Sequence, residues 1–330
     1  MRYWVIIAGA LIALFSVMAM ADSRVDRFKR SGWGDTDFSQ LSISLDEILS
    51  GGPPKDGIPS IDKPVFKPLA EIGDLADREP VVSLSINGDA RAYPLQVLTW
   101  HEIVNDTVGG KPVTVTYCPL CNAAIAFERE VNGKVLDFGT TGLLRHSDLV
   151  MYDRQSQSWW QQFTGEAIVG EMLGSKLKLV PARLESFALF KQRYPEGKVL
   201  VPSNPAMRAY GSNPYAGYDT SKAPFLYRGD MPEGISPMAR VVVVRRAGKP
   251  VVYAMELLTQ KREIVNGDLV FKWQAGQASA LDTRTIADGR DVGNITVQRA
   301  TAAGLEDVAY DVTFAFVVKA FHPDAQIIKP

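Results

Sequence analysis

Cysteine and histidine are scarce in this chain of 330 residues, which contains two cysteines and three histidines. Two cysteines are too few to hold a protein of this length together as a disulfide scaffold. The formal charge is only −1 and lysine and arginine form no blocks, which excludes the basic surface that nucleic-acid binding requires. The Gly-x-Ser-x-Gly, phosphate-loop and His-Glu-x-x-His motifs are also missing, and no nucleotide cofactor is indicated.

Long apolar runs are missing as well, except at the N-terminus. The chain starts with a positive charge at Arg2, an apolar run extends to about Met20, and Ala19-Met20-Ala21 has the small-x-small pattern of a cleavage site. We therefore predict that residues 1–21 are a signal peptide, cleaved after Ala21, that exports the protein to the periplasm. An uncleaved N-terminal anchor is the alternative. After cleavage the chain would keep no stable membrane span.

The composition predicts an ordered protein, since 46% of the residues are hydrophobic. Residues 22–80 are rich in turn formers and are expected to be irregular, with one short helix at 41–49. Residues 81–330 alternate short β-favouring runs with glycine-containing turns, and no internal repeat is evident. The predicted fold class is α+β, β-rich with several antiparallel hairpins and a few short helices. It forms either one domain or two lobes that meet near 202–238.

Three local patterns are clear enough to predict individual elements. Residues 81–94 read as a hairpin, because Asn87-Gly88 tolerates the positive φ angles of a tight turn. Residues 95–104 are expected to form a short helix that carries His101 and Glu102. Apolar residues at helical spacing predict a second helix over 184–194, which Pro195 ends.

The two cysteines lie in Cys118-Pro119-Leu120-Cys121, after a β-favouring run at 113–117. Two thiols at this spacing can close a small disulfide or bind one soft metal ion. The following segment, 123–130, favours a strand over a helix, whereas in thioredoxin-like proteins such a pair begins a helix. Because an exported protein meets an oxidising compartment, we expect a disulfide unless a metal or a reductant prevents it.

Possible partners for the thiols are few. Two thiolates with an imidazole suit copper or zinc, and the chain offers His101, His146 and His322 as nitrogen ligands. Taken singly, each of these histidines is more often a hydrogen-bonding residue than a ligand. Carboxylates for acid–base chemistry also occur in the region, although no pair has a diagnostic spacing; they are Glu102, Asp106, Asp148 and Asp153.

Several motifs occur here in the order found in one bacterial family. They are Arg91-Ala92-Tyr93-Pro94-Leu95, Trp100–Asp106, Tyr117–Cys121, Gly142–Leu144 and Met151–Arg154. The chain resembles the family called domain of unknown function 3179, which implies an exported bacterial protein without an established activity. The family pattern includes the positions that match His101, Glu102, Cys118, Cys121, Asp153, Trp160 and Gln162. Relatives usually carry asparagine where this chain has His146, which weakens His146 as a ligand.

The leading hypothesis is an exported protein in which Cys118, Cys121 and His101 bind one copper or zinc ion, with His322 as the second choice of histidine. One alternative is a thiol–disulfide protein with a redox partner, which requires an exposed sulfur. The other is a binding module in which a disulfide only stabilises a turn. The sequence leaves open whether the protein is an enzyme and which oligomer it forms; the catalytic candidates are Cys118, Cys121, Glu102 and Asp153.

Overall fold

A computed structural model describes residues 23–246 and 249–330 of the chain. The predicted signal peptide lies outside these described residues. Residues 23–28 are helical and are followed by a π-helical turn, Lys29–Trp33. Four seven-residue α-helices follow in the described chain: Leu95–His101 (α1), Phe187–Arg193 (α2), Met255–Lys261 (α3) and Ala315–Phe321 (α4). Short 3-10 turns lie at Leu45–Glu47, Leu69–Glu71, Tyr218–Thr220 and Ile286–Asp288.

Strands of two to eight residues make up most of the regular structure. In chain order the strands of the described residues are Ile48–Ser50 (β1), Val65–Pro68 (β2), Pro80–Ile86 (β3), Asp89–Pro94 (β4), Ile103–Val108 (β5), Lys111–Cys118 (β6), Ala123–Glu128 (β7), Glu130–Val131 (β8), Lys134–Val135 (β9), Phe138–Arg145 (β10), Asp148–Asp153 (β11), Trp159–Gln161 (β12), Glu166–Val169 (β13), Leu179–Val180 (β14), Arg183–Ser186 (β15), Lys198–Val201 (β16), Arg240–Val244 (β17), Val251–Ala254 (β18), Glu263–Asn266 (β19), Leu269–Gln274 (β20), Asn294–Thr301 (β21), Gly304–Asp307 (β22), Asp311–Phe314 (β23) and Ile327–Ile328 (β24).

Five sheets of four or five strands contain nearly all of these strands, and β8 and β9 form a separate hairpin. The spatial orders are β1-β10-β11-β12-β13 (sheet I), β14-β7-β6-β5 (sheet II), β15-β3-β4-β16-β2 (sheet III), β23-β17-β18-β24 (sheet IV) and β19-β20-β21-β22 (sheet V). This is the number and size of the blades of a five-bladed β-propeller. The α+β prediction is therefore wrong. Each α-helix makes only two turns and serves as a connection between strands.

Sheets III and IV have the same topology, which reveals an internal duplication. In β3 and β4 Val81 pairs with Pro94, and in β17 and β18 Val241 pairs with Ala254, 160 positions later on both strands. Each hairpin continues into a seven-residue helix, α1 or α3. Each helix ends at a residue with positive φ, at 102 and 262 respectively. The expectation of no internal repeat was therefore wrong.

The duplication extends to the strands that flank these hairpins. β15 and β23 pair antiparallel with β3 and β17, whereas β16 and β24 pair parallel with β4 and β18. A helix connects the two flanking strands in each half. Few residues are shared between the repeats, but Thr99 and Thr259 both donate to the carbonyl four residues earlier. The pattern of pairing is thus retained where most of the sequence is not.

Sheet I interrupts the first repeat. Its strands β10 to β13 lie between β7 and β15, whereas the second repeat passes from β21 to β23 through the single strand β22. The inserted sheet packs directly on the cysteine turn, because Phe138, Met151 and Trp160 share one hydrophobic cluster with Cys118 and Cys121. The insertion therefore determines what surrounds the thiols.

Residues 23–80 add edge strands to two of the sheets, β1 to sheet I and β2 to sheet III. The helix predicted at 41–49 is instead the 3-10 turn Leu45–Glu47, which leads directly into β1. Residues 202–238 contain only the 3-10 turn Tyr218–Thr220 as regular structure. Within the described part of the chain, no helix is both long and apolar enough to cross a membrane.

Candidate metal centre

The cysteine turn connects two paired strands, so its geometry is fixed from both sides. Cys118 ends β6 opposite Ala123 of β7, and the amide of Cys121 donates to the carbonyl of Cys118 at 3.2 Å. The strand predicted after the cysteines is confirmed by β7. The thiols are free rather than joined, and only 2% of Cys118 and 0% of Cys121 is exposed. The turn therefore presents two buried thiols to the interior.

Asp148 reaches the thiols from the inserted sheet. One carboxylate oxygen, Oδ1, lies 3.1 Å from Sγ of Cys121. The sulfurs of Cys118 and Cys121 and an oxygen of Asp148 all lie within 4.8 Å of one another, and all three residues are buried. Zinc ligands sit 2.0 to 2.3 Å from the ion, so donor atoms this close together can share one ion.

A two-residue turn places Asp148 in this position. His146 and Ser147 connect β10 and β11 with φ angles of 52° and 66°, as in a type I′ hairpin turn. The turn also directs the carbonyl of Ser147 towards the thiols, 3.5 Å from Sγ of Cys121 and 3.9 Å from Sγ of Cys118. A fourth possible donor atom, the carbonyl oxygen of Ser147, thus borders the cluster.

The carboxylate of Asp148 is oriented by two donors. Its Oδ2 accepts hydrogen bonds from Nε2 of Gln161 at 2.6 Å and from the amide of Phe163 at 2.9 Å. Oδ1 is left to face Cys121. Gln161 in turn accepts a long hydrogen bond of 3.4 Å from Arg145. Outer-shell hydrogen bonds of this kind commonly fix the orientation of metal ligands.

Burial dominates the electrostatics of the cluster. Loss of solvent raises the pKa of Asp148 to about 6, and it also raises the pKa of Cys118. It raises the pKa of Cys121 well above the ordinary range, and the nearby acidic groups add to this effect. Glu102 is part of the same environment, because burial and the charge of Asp148 raise its pKa to about 8. Ionisation of all these groups together is therefore unfavourable unless a cation compensates their charge.

The two predicted histidine ligands lie elsewhere. Both ring nitrogens of His101 have other partners, since Nδ1 is 2.7 Å from the carbonyl oxygen of Pro59 and Nε2 is 2.8 Å from the hydroxyl of Tyr210. His322 packs against Phe163, and within the described structure its buried Nε2 has no hydrogen-bond partner. Among the described residues neither histidine belongs to the group of metal-binding side chains around the thiols.

Of the other candidate residues, Glu102 lies beside the cluster, whereas Asp153, Trp160 and Gln162 make structural contacts. Glu102 is 8% exposed, and its carboxylate accepts no hydrogen bond from the described residues. Asp153 instead accepts hydrogen bonds from Ser156 and from Nε1 of Trp160, which stabilises the turn between β11 and β12. Gln162 donates to Thr116 and to the carbonyl of Ala123, and so connects the inserted sheet to sheet II.

Several residues at the centre were not predicted to have a role there. Asp148 was only one of four carboxylates, and Gln161 was not singled out. Tyr215 and Tyr218, from the irregular segment 202–238, pack against the hydrophobic cluster that contains both cysteines. A signal for Asp148 existed, since it directly follows a two-residue turn and begins a strand. That signal gives the position of the residue in a hairpin but not its contact with the thiols.

The fold and the site define a β-rich protein with a buried cluster of two thiols and a carboxylate. The family described as "Protein of unknown function (DUF3179)" matches residues 55–325, and the chain belongs to this family. The resemblance noted in the sequence is thereby confirmed. Comparison with the curated proteins and with the solved structures found no match.

Proposed function

We propose that the protein binds one transition-metal ion, with zinc the best-suited metal, through Cys118, Cys121 and Asp148. The observation that carries this proposal is the convergence of three acidic side chains within 4.8 Å at a buried position. Thiolate sulfur and carboxylate oxygen are both zinc ligands. Copper(I) is less suited, because it prefers soft ligands and a carboxylate is hard.

The charge balance supports a cation at this position. With the thiols and Asp148 ionised, three negative charges would be buried together, and Glu102 lies near enough for its charge to act on Cys118. In proteins, burying unpaired charges of one sign costs on the order of several kcal/mol per ion. A divalent cation removes most of this cost and deprotonates the coordinating thiols.

Three protein ligands leave one position of a tetrahedral site open, as in catalytic rather than structural zinc sites. The carbonyl oxygen of Ser147, 3.5 Å from Sγ of Cys121, could supply a further oxygen ligand. Because the N-terminus has the pattern of a signal peptide, we propose that the metal is bound in the periplasm. We assign no reaction. The redox alternative has less support, because a reactive cysteine needs exposure and a lowered pKa. Here both sulfurs are buried and both thiol pKa values are raised.

The test is the metal content of the full-length protein, exported and purified without chelator or affinity tag. Elemental mass spectrometry should find near-stoichiometric zinc in the wild type and little in Cys118→Ser, Cys121→Ser and Asp148→Asn. His101→Gln is the matched control and should retain the metal, because both ring nitrogens of His101 contact other residues, Pro59 and Tyr210. A folded wild type that is metal-free and cannot be loaded with zinc would contradict the proposal. Metal retained in Asp148→Asn but lost in His101→Gln would contradict the proposed ligand set.

A further inference from the structure

The second repeat contains a cavity of about 690 Å³ whose lining includes neither cysteine nor Asp148. It lies between the start of β17, the first turns of α3, the end of β20 and residues 290–292. Its volume falls within the range of small-molecule sites, roughly 300 to 1,000 Å³. Apolar side chains form much of its wall, and they are Ile235, Met238, Ala254, Met255 and Trp273.

Arg240 lines this cavity with few partners for its five N–H donors. Its only hydrogen bonds within the described structure are long, 3.4 Å from Nη2 to Oδ1 of Asn122 and 3.4 Å to Oγ of Ser279. Its Nε is buried and has no acceptor among the described residues. No described carboxylate forms an ion pair with Arg240, and the nearby Asp219 is paired with Arg290 at 2.7 Å. The guanidinium thus retains donors for another molecule.

Trp273 adds an aromatic wall to the same cavity. Its indole Nε1 is buried against Gly293 and does not face the cavity, since a Cβ atom added to Gly293 would lie 2.2 Å from it. The ring packs against the guanidinium of Arg262, 4.1 Å from the ring centroid. The arginine side chain is a donor only. A ligand that satisfies the free donors of Arg240 must therefore supply acceptor oxygens.

The duplication shows that the fold itself does not require Arg240. The first repeat places Pro80 at the same position, since Pro80 begins β3 and pairs with Ser186 as Arg240 begins β17 and pairs with Phe314. Proline offers neither a charge nor a donor there. A cavity of about 650 Å³ also lies beside that strand, and its lining includes Glu79, Gln96 and Arg284. An arginine at the first position of the strand is therefore particular to the second repeat.

The acidic residues of the cavity do not neutralise Arg240. Asp291 accepts hydrogen bonds from the backbone amides of Gly276, Gln277 and Gly293. Glu256 is exposed in the first turn of α3. Among the described residues neither forms an ion pair with Arg240. Burial lowers the pKa of Arg240, which is consistent with a guanidinium that lacks a close counter-charge.

We propose that this cavity binds a small organic carboxylate, with its carboxylate group held by Arg240 and its apolar part against Met255 and Trp273. A planar guanidinium matches the two oxygens of a carboxylate, and the resulting hydrogen bonds are charge-assisted. The apolar wall favours a ligand with a hydrocarbon body over a hydrated inorganic anion. The lining of this cavity shares no residue with the proposed metal ligands, although Arg240 contacts Asn122 beside Cys121.

The test is calorimetric titration of the full-length protein with hexanoate, phenylacetate and glutarate, with hexanamide and phenylacetamide as uncharged analogues and inorganic phosphate as a further probe. At least one carboxylate should bind, and its amide should bind at least about tenfold more weakly. Arg240→Gln should weaken carboxylate binding by a similar factor. Arg246→Gln is the matched control, because Arg246 pairs with Asp268 on the surface. It should leave binding unchanged.

Several outcomes would overturn the proposal. They are equal binding of a carboxylate and its amide, undiminished binding in a folded Arg240→Gln variant, binding of phosphate alone, and no binding of any carboxylate at millimolar concentration. If Arg240→Gln does not fold, the comparison of acid and amide binding to the wild type still tests the proposal.

Discussion

The sulfur of Cys121 lies 3.1 Å from Oδ1 of Asp148, although Cys121 lies in a turn of sheet II and Asp148 in sheet I. Cys121 lies in a turn of the duplicated unit, and Asp148 begins a strand of the inserted sheet. The candidate metal centre therefore forms where the insertion packs on the first repeat. The second repeat lacks an equivalent insertion. Its cavity at Arg240 presents donors instead of thiols.

Replacing Asp148 tests its place in the ligand set. Asp148→Asn keeps the shape of the side chain but removes the charged oxygen that faces Cys121. We expect the zinc affinity to fall by more than about 100-fold, since even outer-shell changes cost roughly 10- to 100-fold. Competition titration with a chromophoric chelator measures this. Asp46→Asn, at an exposed surface pair with Arg24, is the control, and an equal loss in both variants would refute the assignment.

Gln161 should act on the metal only through Asp148. Gln161→Leu removes the 2.6 Å hydrogen bond to Oδ2 and leaves the carboxylate free to rotate. The expected loss of zinc affinity is about tenfold. In the background of Asp148→Asn the same change should have little further effect. Additive losses in the double variant, measured by the same chelator competition, would show that Gln161 acts independently of Asp148.

Glu102 should make the metal-free protein less stable at alkaline pH. Burial raises the pKa of Glu102 from an ordinary 4.5 to about 8, so the stability it contributes is present below pH 4.5 and is lost as pH rises through about 8. Glu102→Gln removes this titration. At pH 9, with chelator present, the variant should be more stable than the wild type by at least about 2 kcal/mol. Denaturant unfolding at pH 4 and 9 measures the difference, and a pH-independent difference would contradict the buried carboxylate.

His146→Asn should be tolerated. His146 has φ 52° in a type I′ turn, a position at which asparagine is favoured over other side chains. The change removes a contact of 3.2 Å between Nε2 and Glu47, but burial lowers the pKa of His146, so little charge is lost at pH 7. We expect a stability change within about 1 kcal/mol, towards greater stability, and full zinc binding. Thermal unfolding combined with metal analysis checks both, and loss of zinc would show that His146 is a ligand.

Local patterns predicted much of the secondary structure around the site. The hairpin at 81–94 and the strand after Cys121 are confirmed, and the helix predicted at 95–104 exists but ends at His101. The helix predicted over 184–194 is confined to Phe187–Arg193, because Arg183–Ser186 pairs with β3 as a strand. Backbone pairing with a distant strand outweighed local apolar spacing there. The fold class was wrong for the same reason, since sheet pairing joins segments far apart in sequence.

The site itself was only half predictable. The spacing of Cys118 and Cys121 brings the sulfurs together in any fold that forms a turn there. Asp148 becomes their partner through the packing of the inserted sheet, which no local sequence pattern predicts. His101 was favoured because the family pattern includes its position, yet the helix that carries it directs its ring to Tyr210. The repeat was missed because the two halves share strand-pairing registers but few residue identities. Thr99 and Thr259 are one of the few identical pairs.

X-ray absorption spectroscopy of the zinc-loaded, full-length protein is the most direct test of the account. The proposed centre predicts two sulfur ligands at about 2.3 Å and oxygen ligands at about 2.0 to 2.2 Å. The oxygen signal should change in Asp148→Asn while both sulfurs remain. A first shell without sulfur, or one in which His101→Gln removes a ligand, would contradict a centre built from Cys118, Cys121 and Asp148.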